Sequence, residues 1–180
     1  MNFLTLIWLF PIALALHEAE EWNILQWYER NFLELPPKTN PTIRTFLVFV
    51  SMLGFVWTGF AALWNNPKAA AWILMPYLAV SLQNTLQHIY WLYRFQQYPP
   101  GLLSSTLLLG PVVIILAGKA LSSDLAPAWY IAALGALQIP GLVETIKADN
   151  RLSPNFHKIH NFSVWLADRI LPKPMPRPNE

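Results

Sequence analysis

Histidine and glutamate side chains stand close together at the end of the first apolar run of this chain. His17, Glu20 and Glu21 follow directly after the apolar residues 3–16. Residues three and four positions apart share one face of a helix, so we expect these three side chains to project together while Glu18 points elsewhere. Ionisable groups within a membrane helix are costly, and they usually face a cavity or mark function.

A second polar cluster has the same character. Asn84 and His88 are one helical turn apart on an otherwise apolar segment. We predict that both clusters contribute to one site. In that site Glu20, Glu21 and Asn84 are the candidate catalytic residues, and the candidate metal ligands are His17, Glu20, Glu21, His88 and Glu144.

Composition places the chain among membrane proteins. Of its 180 residues, 54% are hydrophobic and 12% are charged, whereas about 25% are charged in an ordinary soluble domain. The formal net charge of +2 is too small to indicate a nucleic-acid partner. Cysteine is absent, which excludes thiol catalysis, disulfides and cysteine metal sites.

Five apolar segments approach or exceed the roughly 20 residues that cross a membrane. The predicted spans are 3–32, 43–64, 69–95, 102–121 and 126–147. A sixth segment, 155–170, has apolar residues at helical spacing with basic residues between them, as is typical of a surface helix. The predicted fold class is therefore an all-α integral membrane protein, a five-span transmembrane helical bundle with a C-terminal amphipathic surface helix.

The chain divides at the end of the fifth span. Residues 1–150 form the predicted transmembrane helical domain that carries the site, and 151–180 form the interfacial helix and a Pro-rich tail. Glu144, near the end of the fifth span, is the weakest ligand candidate, because a boundary pair with Lys147 explains it as well.

Basic residues are distributed unevenly over the five-span arrangement. Ten of the twelve Lys and Arg residues fall on the side of the C-terminus, and only Lys68 and Lys119 fall on the other side. Because cytoplasmic loops are rich in these residues, the N-terminus is predicted to lie outside and the C-terminus in the cytoplasm. Spans one, three and five then bring their polar residues to a similar depth, roughly 20–28 Å from the outer helix ends.

Three elements of the chain match a known pattern in order and spacing: His17-x-x-Glu20-Glu21, Asn84-x-x-x-His88 and Tyr98-Pro99-Pro100-Gly101-Leu102. In these elements the chain resembles the HXXEE-domain family of small membrane proteins, over residues 4–145. The resemblance implies an integral membrane protein with a catalytic centre at the shared motifs, and it does not indicate a substrate.

The residue types favour a divalent metal such as iron, zinc or manganese, bound by imidazole and carboxylate groups. A mononuclear site would use His17, His88 and one of Glu20 or Glu21, with the other carboxylate as a general base or supporting partner. Such a metal activates water for hydrolysis, or oxygen if it is iron. A dinuclear site is less expected, because it usually takes two Glu-x-x-His pairs.

Two other interpretations stay open. Without a metal, paired carboxylates, histidines and an asparagine can act as acid and base in an isomerase or hydrolase. Similar residue sets occur in CAAX-type proteases and sterol isomerases, although in a different sequence order. The chain can instead be a non-enzymatic protein that binds a lipid or pigment. In every case a site among membrane helices favours an apolar partner: a lipid, an isoprenoid or a quinone-like molecule.

The predicted topology can be tested with reporter domains. A reporter fused after Pro67 should lie outside, since two spans precede it, and a reporter at Glu180 should lie in the cytoplasm, since five precede it. Alkaline phosphatase, active outside, and green fluorescent protein, fluorescent inside, measure the two positions. Reporters on the same side would contradict five spans.

Overall fold

The computed structural model describes residues 2–33, 35 and 39–171, with the side chains of Asn155 and His160 left out. Over this part of the chain the regular structure is helical. The predicted Pro-rich tail begins beyond Leu171 and lies outside the described residues. The α-helices are α1 (Phe3–Leu6), α2 (Leu9–Glu20), α3 (Ile24–Asn31), α4 (Asn40–Leu63), α5 (Pro67–Phe95), α6 (Leu102–Ser104), α7 (Gly110–Ser122), α8 (Ala128–Ala148) and α9 (Pro154–Ile170). A π-helical turn over Ser105–Leu109 joins α6 to α7.

The first long helix runs over Phe3–Asn31 and changes pitch twice, the first time at residues 7–8 between α1 and α2. Its start is capped by Asn2, whose side chain accepts from the Thr5 amide at 2.8 Å. A 3₁₀ turn over Glu21–Asn23 separates α2 from α3. Because a 3₁₀ turn is wound more tightly than an α-helix, side chains after Glu20 are rotated relative to those before it.

Four helices are long and apolar enough to cross a membrane, among the residues that the structure describes: Phe3–Asn31, Asn40–Leu63, Leu102–Ser122 and Ala128–Ala148. The prediction of an all-helical membrane-type fold is confirmed at this level. The predicted third span is present as the helix α5, but its composition is less apolar than that of the other four. Six polar side chains fall within eight of its positions: Ser81, Gln83, Asn84, Thr85, Gln87 and His88.

The polar clusters lie between two apolar cores. One core includes Leu14 of α2 and Leu78 of α5, and the other includes Ile24 of α3 and Trp91 of α5. The site residues of both helices fall between these positions in the chain. Helix α5 packs against α4, α7 and α8, and α2 packs against α4, so the site is enclosed by helices.

The last helix, α9, packs along α4. Its start is capped by Ser153, whose hydroxyl accepts from the Phe156 amide at 3.4 Å. The Phe162 ring contacts the rings of Phe46 and Phe49 on α4. The predicted segment 155–170 is therefore helical and docked on the bundle.

Candidate metal centre

Three buried side chains converge between α2 and α5. One ligand atom from each of His17, Glu21 and His88 lies within 4.8 Å of the other two. Oε1 of Glu21 is 2.8 Å from Nε2 of His88 and 3.5 Å from Nε2 of His17. Both imidazoles are fully buried, and Glu21 is 8% exposed. Two imidazoles and one carboxylate thus face a common point.

The orientation of His17 is fixed by the turn that precedes α6. Its Nδ1 donates to the carbonyl oxygen of Gly101 at 3.1 Å and lies 3.3 Å from Oγ of Ser104. Since Nδ1 carries the proton in this contact, Nε2 of the neutral ring presents a lone pair to the cluster. The amide nitrogen of Asn84 donates to that lone pair at 2.7 Å. A backbone carbonyl that holds the far nitrogen is the usual support of a metal-binding histidine.

His88 has no such support. Its Nε2 lies at hydrogen-bond distance from Glu21, yet among the described residues neither ring nitrogen makes a hydrogen bond with acceptable geometry. Leaving a buried polar atom without a partner costs about 1–3 kcal/mol. The Nε2 nitrogen could instead direct its lone pair at a cation shared with Glu21. An imidazole nitrogen and a carboxylate oxygen that face each other in this way fit the donor set of a divalent metal.

Gly101 lies directly against the cluster. Its φ of +92° is in the left-handed region, which side chains other than glycine rarely adopt. A Cβ atom built on Gly101 would be 2.8 Å from Oε1 of Glu21 and from Cε1 of both His17 and His88. No other residue fits there without displacing the site. The turn therefore forms one wall of the candidate metal centre.

Glu20 is held away from the cluster. Its carboxylate accepts from the backbone amides of Leu103 at 3.3 Å and Ser104 at 2.7 Å, and also from the hydroxyls of Ser104 and Tyr98. The N-cap of α6 is Gly101, which has no side chain to cap the helix, so Glu20 caps it from α2. Partial burial raises the pKa of the Tyr98 hydroxyl and the bond to Glu20 raises it further, so this hydroxyl is a donor at neutral pH.

The other candidates lie apart from the three converging ligands. Glu144 is half-buried on α8 and does not belong to the group of ligand atoms around Glu21. Glu18, which we expected to point elsewhere, is itself buried at 7% exposure. Glu18 lies three residues before Glu21, and this spacing, which puts two residues on one helix face, was the sequence signal for its burial. Ser104 was missed, because its contacts with Glu20 and with His17 depend on tertiary structure.

An apolar cavity of about 330 Å³ lies between α5, α7 and α8. It occupies the face of α5 that carries Leu78, Leu82 and Leu86, whereas Asn84 and His88 lie two positions out of phase on another face. The lining residues do not include the three converging ligands. The cavity and the candidate metal centre are therefore on different sides of α5.

A glycine substitution tests the wall of the site. Gly101→Ala should lower the free energy of unfolding by at least about 2 kcal/mol, because it combines overpacking with a strained backbone angle. Gly135→Ala is the control, since a Cβ at Gly135 meets no atom within 4 Å. Denaturant unfolding in detergent measures both variants. Equal stability of the two variants would contradict the close contact at Gly101.

Comparison with known proteins identifies the motifs as a family pattern. The model of a family described as "Protein of unknown function with HXXEE motif" matches residues 8–116. No curated protein and no solved structure matches the chain. The matched range contains the three converging ligands together with Asn84 and Gly101, and it ends before α8. Because this range covers more than half of the 180 residues, the chain belongs to the HXXEE family.

Proposed function

We propose that this protein is a membrane-embedded, metal-dependent enzyme in which His17, Glu21 and His88 bind one divalent ion of iron, zinc or manganese. The convergence of three buried ligand atoms within 4.8 Å carries the proposal. A set of two histidines and one carboxylate is common to catalytic zinc sites and to non-haem iron sites. It leaves coordination positions for water and substrate.

The energetics of burial support a bound cation. Glu21 is buried in a helix that is apolar enough to span a membrane. An acidic residue at the centre of such a helix costs about 2.5–3.5 kcal/mol on insertion scales. A divalent cation held by Glu21 and the two histidines would balance this negative charge. Packing alone offers no reason to place these three groups together.

A bound metal would supply an activated water for hydrolysis, or oxygen activation if the metal is iron. The chain's own residues have separate roles around it. The Gly101 carbonyl orients His17, and the Asn84 amide is a neutral donor beside the ligands that can bind a substrate oxygen. Glu20, the other candidate of the paired glutamates, is assigned to hold the turn rather than the metal.

The proposal includes five membrane spans, with α5 as the third. At 1.5 Å per residue its 29 residues extend about 43 Å, which is long enough to cross the membrane. It packs against α4, α7 and α8, so its polar residues need not face lipid. The proposed orientation places the N-terminus outside and the C-terminus in the cytoplasm, because five spans put ten of the twelve Lys and Arg residues on the same side of the membrane as the C-terminus.

Helix α9 is proposed to lie at the cytoplasmic membrane surface. It leaves Ile159, Trp165 and Ile170 exposed, while the Arg169 guanidinium lies over the Trp165 ring with its central carbon 4.5 Å from the ring centroid. Aromatic and basic side chains on one short helix are typical of the membrane interface. This position would fix α9 beside the inner end of α4.

The proposed substrate is apolar: a membrane lipid, an isoprenoid or a quinone-like molecule. The support is location, since the ligands are buried between helices of membrane-spanning composition. Hydrolysis and oxidation are the reaction types that fit the donor set. Metal identity separates the two, since zinc favours hydrolysis and iron favours oxidation.

A metal-free acid/base enzyme is the second candidate. One observation favours it: the Asn84 amide already donates to Nε2 of His17, the lone pair that a metal would take. In this alternative, Glu21 and His88, which are 2.8 Å apart, would act as the acid and the base that donate a proton to the substrate and accept one from it. A non-enzymatic lipid- or pigment-binding role would need neither contact.

Metal content tests the proposal. Protein purified without chelator should contain about one divalent ion per chain, and His17→Ala and His88→Ala should each lose it. Chelator should lower the melting temperature of the wild type, since metal at 100 times its Kd stabilises a fold by about 2.7 kcal/mol. His157→Ala is the control because this histidine is exposed on α9. A metal-free wild type with no chelator effect would favour the acid/base alternative.

A further inference from the structure

We infer that the turn over residues 98–101, which precedes α6, is the entrance to the metal centre and that Glu20 is the latch that keeps it closed. The inference rests on the proposed function, because it assigns the route by which metal and substrate reach that same site. It gives separate roles to the paired glutamates of the HxxEE motif. Glu21 faces the ligands, and Glu20 positions the backbone that covers them.

The site is closed in this structure. The side chains of His17 and His88 are fully buried and that of Glu21 is 11% exposed, so a substrate reaches the ligands only after a movement. His17 and His88 belong to α2 and α5, and Glu21 opens the 3₁₀ turn between α2 and α3, so all three are held by elements that pack in the two apolar cores. Gly101, by contrast, belongs to a short connection that is not helical between α5 and α6. Such a connection opens at a lower free-energy cost than a packed helix.

The Glu20 carboxylate accepts the hydrogen bonds that hold this connection closed. It accepts from two backbone amides at the start of α6 and from the hydroxyls of Tyr98 and Ser104. A negative charge at this position is also favoured by the dipole of the helix that begins there. Tyr98 is 54% exposed, so water can compete for its bond to Glu20. The latch therefore lies at the edge of the site, where it can be released.

Closure of the turn also completes the site. Gly101 lies against the cluster, and its carbonyl is the acceptor that orients His17 through Nδ1. When the turn opens, His17 loses this partner, and its Nε2 is no longer fixed toward Glu21. Access and ligand orientation are thus coupled through one residue. Glu20 acts on the metal through the turn, which makes it a positioning residue.

Cysteine labelling tests the latch without any metal. The chain contains no cysteine, so Ser105→Cys introduces a single thiol at a position that is fully buried just after the turn. Adding Glu20→Gln should accelerate its reaction with a small maleimide about tenfold, which corresponds to about 1.4 kcal/mol in the opening equilibrium. Adding Glu29→Gln, on an exposed residue of α3, should leave the rate unchanged.

A thiol elsewhere separates local opening from general loosening. Thr58 is fully buried on α4, and the labelling rate of Thr58→Cys should be the same with and without the Glu20→Gln substitution. Equal acceleration at both thiols, or none at Ser105→Cys, would overturn the latch. If Glu20→Gln does not fold, Tyr98→Phe removes one donor and should accelerate labelling at Ser105→Cys about threefold; an unchanged rate there would overturn the latch as well.

Metal exchange distinguishes a latch from a ligand. With zinc as the probe, Glu20→Gln should accelerate both association and chelator-driven release about tenfold, leaving the Kd nearly unchanged. If Glu20 were a ligand, the Kd would rise while association stayed the same, and the latch would be refuted. The two proposals can fail separately. If the wild type binds no zinc but Glu20→Gln still accelerates labelling of Ser105→Cys, the metal proposal is refuted and the role of Glu20 as the latch of the turn is retained.

Discussion

The close approach of the Gly101 backbone to three buried side chains constrains much of this structure. A Cβ at this position would be within 2.8 Å of Glu21, His17 and His88, so the residue must be glycine. Glycine is also the N-cap of α6 and has no side chain with which to cap it. The cap must come from elsewhere, and Glu20 supplies it from α2. Glu20 therefore caps the start of α6, while Glu21 faces the two histidines.

This division coincides with a local change in helix geometry. The α-helix ends at Glu20 and Glu21 opens a 3₁₀ turn, and neighbouring residues of a helix point in different directions, so the two carboxylates reach different targets. Apolar cores on both sides then hold the helices in place. A displacement at one of these contacts would change the others, because His17 touches both the turn through Gly101 and α5 through Asn84.

Sequence patterns predicted the helical fold and the four helices that are long and apolar enough to cross a membrane, because hydropathy and residue spacing are local properties. From regular α-helical spacing we expected Glu20 and Glu21 to project together and Glu18 to point elsewhere. The 3₁₀ turn begins at Glu21, so regular α-helical spacing does not continue past this residue. The Tyr98-Pro99-Pro100-Gly101-Leu102 element marked this turn as part of the pattern, but residue spacing could not show its contact with His17, since that contact joins residues more than eighty positions apart. Helix α5 lacks the apolar composition of the four candidate spans because its polar residues supply part of the candidate site.

The most direct measurement of the central claim is X-ray absorption spectroscopy of the metal that the purified protein carries. We predict a first coordination shell with two imidazole nitrogens and at least one carboxylate oxygen. His88→Ala should remove one imidazole from that shell, and Glu20→Gln should leave its composition unchanged. A shell of water oxygens only, or a shell that His17→Ala and His88→Ala do not alter, would contradict metal binding by His17, Glu21 and His88.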